Sequence, residues 1–297
     1  IVLKKSFFMF FILLGVSVAY GQKNVNRVQL DRKSKAYESN LTHPELRAEE
    51  GSMSKYSVKA FLSYYGPPVA TPLASEQPNP DNKVGDYKVA LSGSMSGRYR
   101  INSSEVLSVG SGLKALTPFH GLERVDLKSP YLKYSKSLRF YKVQMRLTSG
   151  VSVTTQKAYT DAGQVGALSG SYSMKYKFGQ TNLRLSLATS LNIFIYNRAY
   201  NAKTDRTSSR YFLGVYPGID YRLNDDYTVQ TSLSTSFANP RKDEKWQRLN
   251  SRTITQRLGV SIALSKTTFL YPYFNFYPEK FTWETTTLSF NTIFSVF

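Results

Sequence analysis

Residues 164–196 read QVGALSGSYSMKYKFGQTNLRLSLATSLNIFIY, and the periodicity of this stretch decides the fold. In its first half Leu168, Tyr172, Met174, Tyr176 and Phe178 alternate with Ser169, Ser171, Ser173, Lys175 and Lys177. In its second half Leu183, Leu185, Leu187, Leu191, Ile193 and Ile195 alternate with Asn182, Arg184, Ser186, Ser190 and Asn192. Successive side chains of a strand point to opposite faces, so this period of two predicts two long strands, each with one apolar and one polar face. Gly179-Gln180 between them supplies a tight turn.

The same pattern extends in both directions. In 86–101, Tyr87, Val89, Leu91, Met95, Tyr99 and Ile101 oppose Lys88, Ser92, Ser94, Ser96, Arg98 and Arg100. In 210–223, Tyr211, Leu213, Val215, Ile219, Tyr221 and Leu223 oppose Arg210, Gly214, Asp220 and Arg222. Further segments fall at 54–65, 105–116, 141–154, 227–237, 253–264, 268–277 and 285–297. Short turns at Gly179-Gln180, Asn224-Asp225-Asp226 and Ser265-Lys266-Thr267 alternate with longer polar loops at 197–209, 238–252 and 278–284. Short connections at one end and long ones at the other characterise an up-and-down meander. Eleven segments are strong, and a weaker one at 129–138 (SPYLKYSKSL) brings the count to the even number that a barrel with both termini on one side requires. The expected fold is all-β, a transmembrane up-and-down antiparallel β-barrel of twelve strands, with ten and fourteen as the neighbouring even counts.

A soluble sandwich also alternates, because it buries one face of each sheet. Its strands average about 6 residues, whereas these run to between 11 and 16. Aromatic residues also flank the short turns: Tyr176 and Phe178, Tyr221 and Tyr227, Phe269 and Tyr271. Rings at that level are the girdle expected where a barrel meets a membrane interface.

The chain has 297 residues with 39 Lys plus Arg against 20 Asp plus Glu, a formal +19, and it contains 22 Tyr, 18 Phe and no Cys. That aromatic content excludes a disordered polycation, and the absence of Cys excludes disulfide scaffolds, thiolate metal sites and cysteine nucleophiles. Three regions are expected. Residues 1–21 read as a signal peptide, with Lys4 and Lys5 before an apolar run from Phe7 to Val18 and small residues at Ala19 and Gly21. Residues 22–53 read as a polar periplasmic arm or plug carrying one short helix, with Thr42 and Glu45 spaced as a capping box, Pro44 in the first turn and Gly51 as the stop. Residues 54–297 form the barrel.

Over Ser54 to Phe297 the chain resembles bacterial outer-membrane β-barrel proteins of the porin-like type, on the leader, the strand pattern and the terminal aromatic that closes TLSFNTIFSVF. The resemblance implies the outer membrane of a Gram-negative bacterium, contact with outer-membrane lipid and lipopolysaccharide, and handling by the barrel-assembly machinery, which reads a terminal aromatic. No cofactor is implied. One departure is that Leu288, Phe290, Phe294 and Val296 occupy the face opposite Phe297, which instead shares its face with Ser289, Asn291 and Ser295.

Chemistry has few candidates. His43 and His120 are the two histidines of the chain, and His120, in TPFHGLERVD, lies near Glu123 and Asp126 but is followed by Gly121 and Leu122 rather than by a Ser two residues on. A local hydrogen-bonding role is favoured over catalysis. Neither metal-ligand spacing nor a phosphate-binding glycine loop is present. The informative feature is positional charge. Arg98, Arg100, Lys142, Arg146, Lys175, Lys177, Arg184 and Arg222 fall on the polar face near the short-turn end, with Asp220 beside them. Such a cluster either raises the local anion concentration in a lumen, or snorkels toward phosphate headgroups, or pairs with the arm's Glu45, Glu49 and Glu50. The loops carry further cations, Arg198, Lys203 and Arg206 in one and Arg241, Lys242, Lys245, Arg248 and Arg252 in another, suited to lipopolysaccharide phosphates. Basic residues interleaved with strand apolars, without a recognition helix or RNA-binding sheet motif, argue against nucleic acid. Three functional classes follow: a channel for small anionic solutes, a closed structural or surface-interaction barrel, and a lipid-modifying barrel enzyme.

Overall fold

The structure, a computed structural model, describes Leu41 and residues 43–80, 87–203, 205, 208–242 and 245–296. The leader, most of the arm including Thr42, Arg206 and the terminal Phe297 lie outside the described residues. Thirteen strands run β1 (Tyr56–Pro68), β2 (Ala90–Arg100), β3 (Glu105–Leu116), β4 (Arg124–Phe140), β5 (Val143–Val153), β6 (Gln164–Lys177), β7 (Leu183–Tyr196), β8 (Ser209–Arg222), β9 (Tyr227–Pro240), β10 (Asn250–Ser251), β11 (Thr255–Ala263), β12 (Thr268–Phe276) and β13 (Thr287–Val296). Neighbouring strands pair antiparallel, with β10 and β11 both paired to β9, and β13 returns to pair with β1, from Val58 opposite Val296 to Pro68 opposite Thr287. The sheet is therefore closed and has no edge to protect.

Twelve strands cross the barrel, because β10 and β11 are one strand with a bulge. Ser251 pairs with Phe237, the Arg252 N–H donates to the Ser236 carbonyl, and Thr255 pairs with Ser234, so the strand spends one extra residue there. The segment expected at 129–138 is real but longer. β4 starts at Arg124, inside what reads as a loop, and its weak pattern has a cause at Pro130. The register passes from Tyr131 opposite Gly110 to Lys128 opposite Gly112, which leaves Pro130 unpaired in a bulge where its missing N–H does no harm.

The faces settle the choice between barrel and sandwich. Apolar residues of the alternating sets stand exposed on the outside, from 43% for Leu185 to 63% for Met95, with Val109, Val151, Ile219 and Leu288 between them. Ser63, Ser92, Ser135, Thr228, Gln230 and Ser261 are buried on the inside. An apolar exterior around a polar interior is the inverse of a water-soluble sandwich and matches a barrel solvated by lipid. Phe178, Tyr221 and Tyr227 beside the short turns face outward as a girdle should, joined by the edge-to-face pair Phe140–Tyr141.

Phe269 and Tyr271 correct that expectation. They lie on the inner face, 3% and 7% exposed. β12 reads TFLYPYFNF, which is aromatic or apolar on both faces, so no alternation fixes its register. The rings are inside because something apolar enters the lumen to meet them. That element is a seven-residue helix, α1 (Pro44–Glu50).

Candidate functional site

α1 begins at Pro44, whose ring suits a first helical turn, and ends at Gly51, whose φ of +73° is a glycine conformation. A Cβ at that position would stand 2.0 Å from Arg98 Nη1 and 2.6 Å from Ser295 Oγ, so the helix stop is also where the backbone presses closest to the wall. The expected capping box rests on Thr42, which lies outside the described residues; the N-cap is His43, without a side-chain cap bond, and Glu45 reaches across to Lys175. Leu46 and Ala48 are buried, and Ala48 packs with Phe269, Tyr271, Tyr273, Ile293 and Phe61.

The polar contacts at each end of α1 place it across the lumen at the short-turn mouth. At the start, the His43 N–H donates to Gln144 Oε1 at 3.0 Å, and His43 Nε2 lies 3.3 Å from Asp220 Oδ2. Lys175 Nζ sits between two carboxylates, 2.8 Å from Asp220 and 3.0 Å from Glu45. At the far end Arg98 Nη2 donates to the Glu50 carbonyl at 2.6 Å, and Arg100 Nη2 donates to the same carbonyl at 3.1 Å and to Ser52 O at 2.9 Å. Lys59 Nζ donates to Glu49 O at 3.2 Å, and Arg146 Nε stands 3.8 Å from the Glu49 carboxylate. The last carbonyls of a helix have no partner within it and carry its negative end, so guanidinium donors there satisfy both the hydrogen bond and the dipole. Each such charge-assisted bond contributes about 1.5–3 kcal/mol.

The predicted cations therefore divide. Arg98, Arg100, Arg146, Lys175 and Arg184 are buried on the inner face. The first four hold α1, and Arg184 pairs in register with Asp220. Lys177 and Arg222 stand at the rim, where Arg222 pairs with Asp225 in the turn. Lys142 does not join them: β5 starts at Val143, and Lys142 is exposed in the β4–β5 turn. Lys175 and Arg146 meet the arm's acids Glu45 and Glu49, whereas Arg98 and Arg100 hold main-chain carbonyls at the end of α1. Lys59 was missed, although its alternation with Phe61 and Ser63 on β1 marks the inner face.

Burial holds the His43 imidazole below its ordinary value, with the Lys175 ammonium adding to the effect and Asp220 and Glu45 opposing it. His43 is fully enclosed among these groups and therefore sits neutral at the helix start. His120 lies in the β3–β4 connection, its N–H bonded to Thr117 O. No group of three metal-ligating side chains occurs among the described residues.

The loop cations are also partly engaged. Asp205, buried, accepts from Arg198 at 2.7 Å and from Arg241 at 3.0 Å, while Arg241 also donates to Ala162 O and lies over the Tyr196 ring. Arg210 lies over Trp246 and Arg252 over Phe212. These residues tie three long connections together rather than standing free for an external phosphate.

A closed, lipid-solvated, twelve-stranded barrel with a helix seated in its lumen is an architecture of the outer-membrane porin type. Among solved structures, the COG4313 outer membrane channel from Pseudomonas putida F1 aligns with a TM-score of 0.52 over 90% of this chain and 100% of that one, at 9% identity. The NanC porin aligns at 0.44 and 6% identity over 82% and 98% of the two chains. Salmonella typhi OmpF, solved with daunomycin, aligns at 0.37 and 8% identity over 81% and 97%. At these identities the likeness to the Pseudomonas channel is one of fold. No family model and no curated protein matches the sequence.

Proposed function

We propose that the chain is an outer-membrane channel for small, anionic solutes whose periplasmic mouth is constricted by α1. The observation that carries this reading is the seating itself. A barrel that needed only to be solid could fill its lumen with packed side chains from its own strands. This one brings in a chain segment, holds it mainly through cations, and leaves two cavities beside it, one lined mainly by Ser, Lys and Arg and the other by Ser and Thr with Lys175 and Arg257 against Glu45, Glu49 and Asp220. A cationic lumen raises the local concentration of anions and repels cations. The fold shared with an outer-membrane channel supports the same class of activity.

Arg98→Gln/Arg100→Gln removes the donors on the Glu50 carbonyl without touching the outer face. In planar bilayers the native chain should give small, infrequent conductance steps, and the double variant larger and more frequent ones that scale with salt. The burial of Leu46 and the packing of Ala48 with Phe269, Tyr271 and Ile293 favour a second reading, the closed structural barrel, in which α1 is a permanent filling. Absence of current from both proteins, with heat-modifiable gel migration retained, would select it.

A further inference from the structure

Beside α1 the lumen holds a cavity of about 440 Å3, within the roughly 300–1,000 Å3 usual for small-molecule sites. Five cations line it, Lys59, Arg98, Lys128, Lys133 and Arg146, against one carboxylate, Glu49. Three of the five face the helix: Arg98 on the Glu50 carbonyl, Lys59 on the Glu49 carbonyl and Arg146 beside the Glu49 carboxylate. Lys128 and Lys133, both from β4, have other partners. Lys128 Nζ donates to Ser92 Oγ at 2.9 Å, and Lys133 Nζ lies 4.2 Å from the centre of the Tyr131 ring. Among the described residues neither forms an ion pair.

Two half-buried ammonium groups, in a chamber whose five cations face the single carboxylate of Glu49, lose part of their hydration and leave the chamber with excess positive charge. A hydroxyl and an aromatic face offset only part of that. The remainder is recovered when an anion enters. The rest of the lining is built for a hydroxylated guest: Ser94, Ser129, Ser171 and Ser173 can each donate and accept. A single carboxylate would neutralise only one of the two uncommitted lysines.

We infer that this chamber binds a small, hydroxyl-bearing anion carrying at least two negative charges, in chemical class a sugar phosphate, with Lys128 and Lys133 as its charge contacts. The inference rests on the channel reading only for the solute's route. Calorimetric titration of the detergent-solubilised full chain with glucose 6-phosphate, glucose and inorganic phosphate tests it without requiring current. Glucose 6-phosphate should bind saturably, inorganic phosphate more weakly, and glucose without measurable heat. Lys128→Gln/Lys133→Gln should weaken glucose 6-phosphate at least tenfold while keeping heat-modifiable migration. Undiminished binding by that variant, equal binding of glucose, or no heat with glucose 6-phosphate would overturn the site. Binding without current would retain the chamber and remove the channel; current without binding would do the reverse.

Discussion

At the scale of single residues, the side chains that matter most are those whose protonation or shape the helix seat depends on. His43 is enclosed with Lys175, Asp220 and Glu45 around it, and its proton affinity is lowered by burial. The released helix then binds more protons than the seated one, so seating is fully favoured above the ordinary histidine value of 6.5 and weakens as pH falls below it. Channel openings in bilayers should accordingly become more frequent between pH 7.5 and pH 5, and His43→Gln should flatten that dependence. An equal rise in the variant would assign the effect to the carboxylates instead. Very little of this was legible in the sequence, where His43 is one polar residue in a polar arm. Its environment is made by Gln144, Lys175 and Asp220, which lie 101 or more positions away along the chain and are brought to it only by closure of the barrel. The luminal cations, by contrast, were legible, because strand period fixes their face. What period could not show is that Arg98 and Arg100 are taken up by main-chain carbonyls of α1, which leave no trace in composition.

At the scale of elements, most strands followed from alternation, and the deviations have identifiable causes. β4 is disguised by Pro130 and by Lys residues on both of its faces; β12 is legible as a strand, but not its facing, because its inner face is aromatic where α1 packs. Loops obey a different logic, and here charge counting misleads. Arg198 and Arg241 look like free basic loop residues, yet both converge on Asp205, which also accepts from the Asn201 N–H at 2.8 Å. Removing one partner of a buried pair leaves the other charge uncompensated, at a cost of about 3–5 kcal/mol. Asp205→Ala should therefore loosen the β5–β6, β7–β8 and β9–β10 connections together. Amide exchange at Asn201 and Arg241 should accelerate by more than tenfold while exchange in the strands stays unchanged. Acceleration confined to Asn201 would show that Arg241 is held by its other partners, the Ala162, Arg198 and Ser208 oxygens and the Tyr196 ring. The clamp was invisible beforehand because the spacing of Asp205 from Arg241, 36 positions, carries no periodic signal.

At the scale of the whole molecule, the excess of positive charge is spread over populations with different exposure to salt. One is buried at the α1 seat, in contact with carbonyls and carboxylates at 2.6–3.2 Å for its closest members. Another lines the open part of the lumen, Lys128 and Lys133 among it. Mobile ions screen charges separated by water over a Debye length that falls from about 10 Å at 0.1 M to about 3 Å at 1 M, and they reach buried pairs far less. The two properties that these groups govern should therefore separate in one experiment. If the proposed channel prefers anions, raising potassium chloride from 0.1 M to 1 M should collapse the preference read from the reversal potential, because it would depend on the field in the lumen. The same change should leave the frequency of openings nearly constant, because seating of α1 depends on direct contacts. Parallel loss of selectivity and of gating would mean that the helix is held by long-range attraction instead. The bonds to the Glu50 carbonyl would then contribute little, and the seat would be an electrostatic resting place rather than a latch.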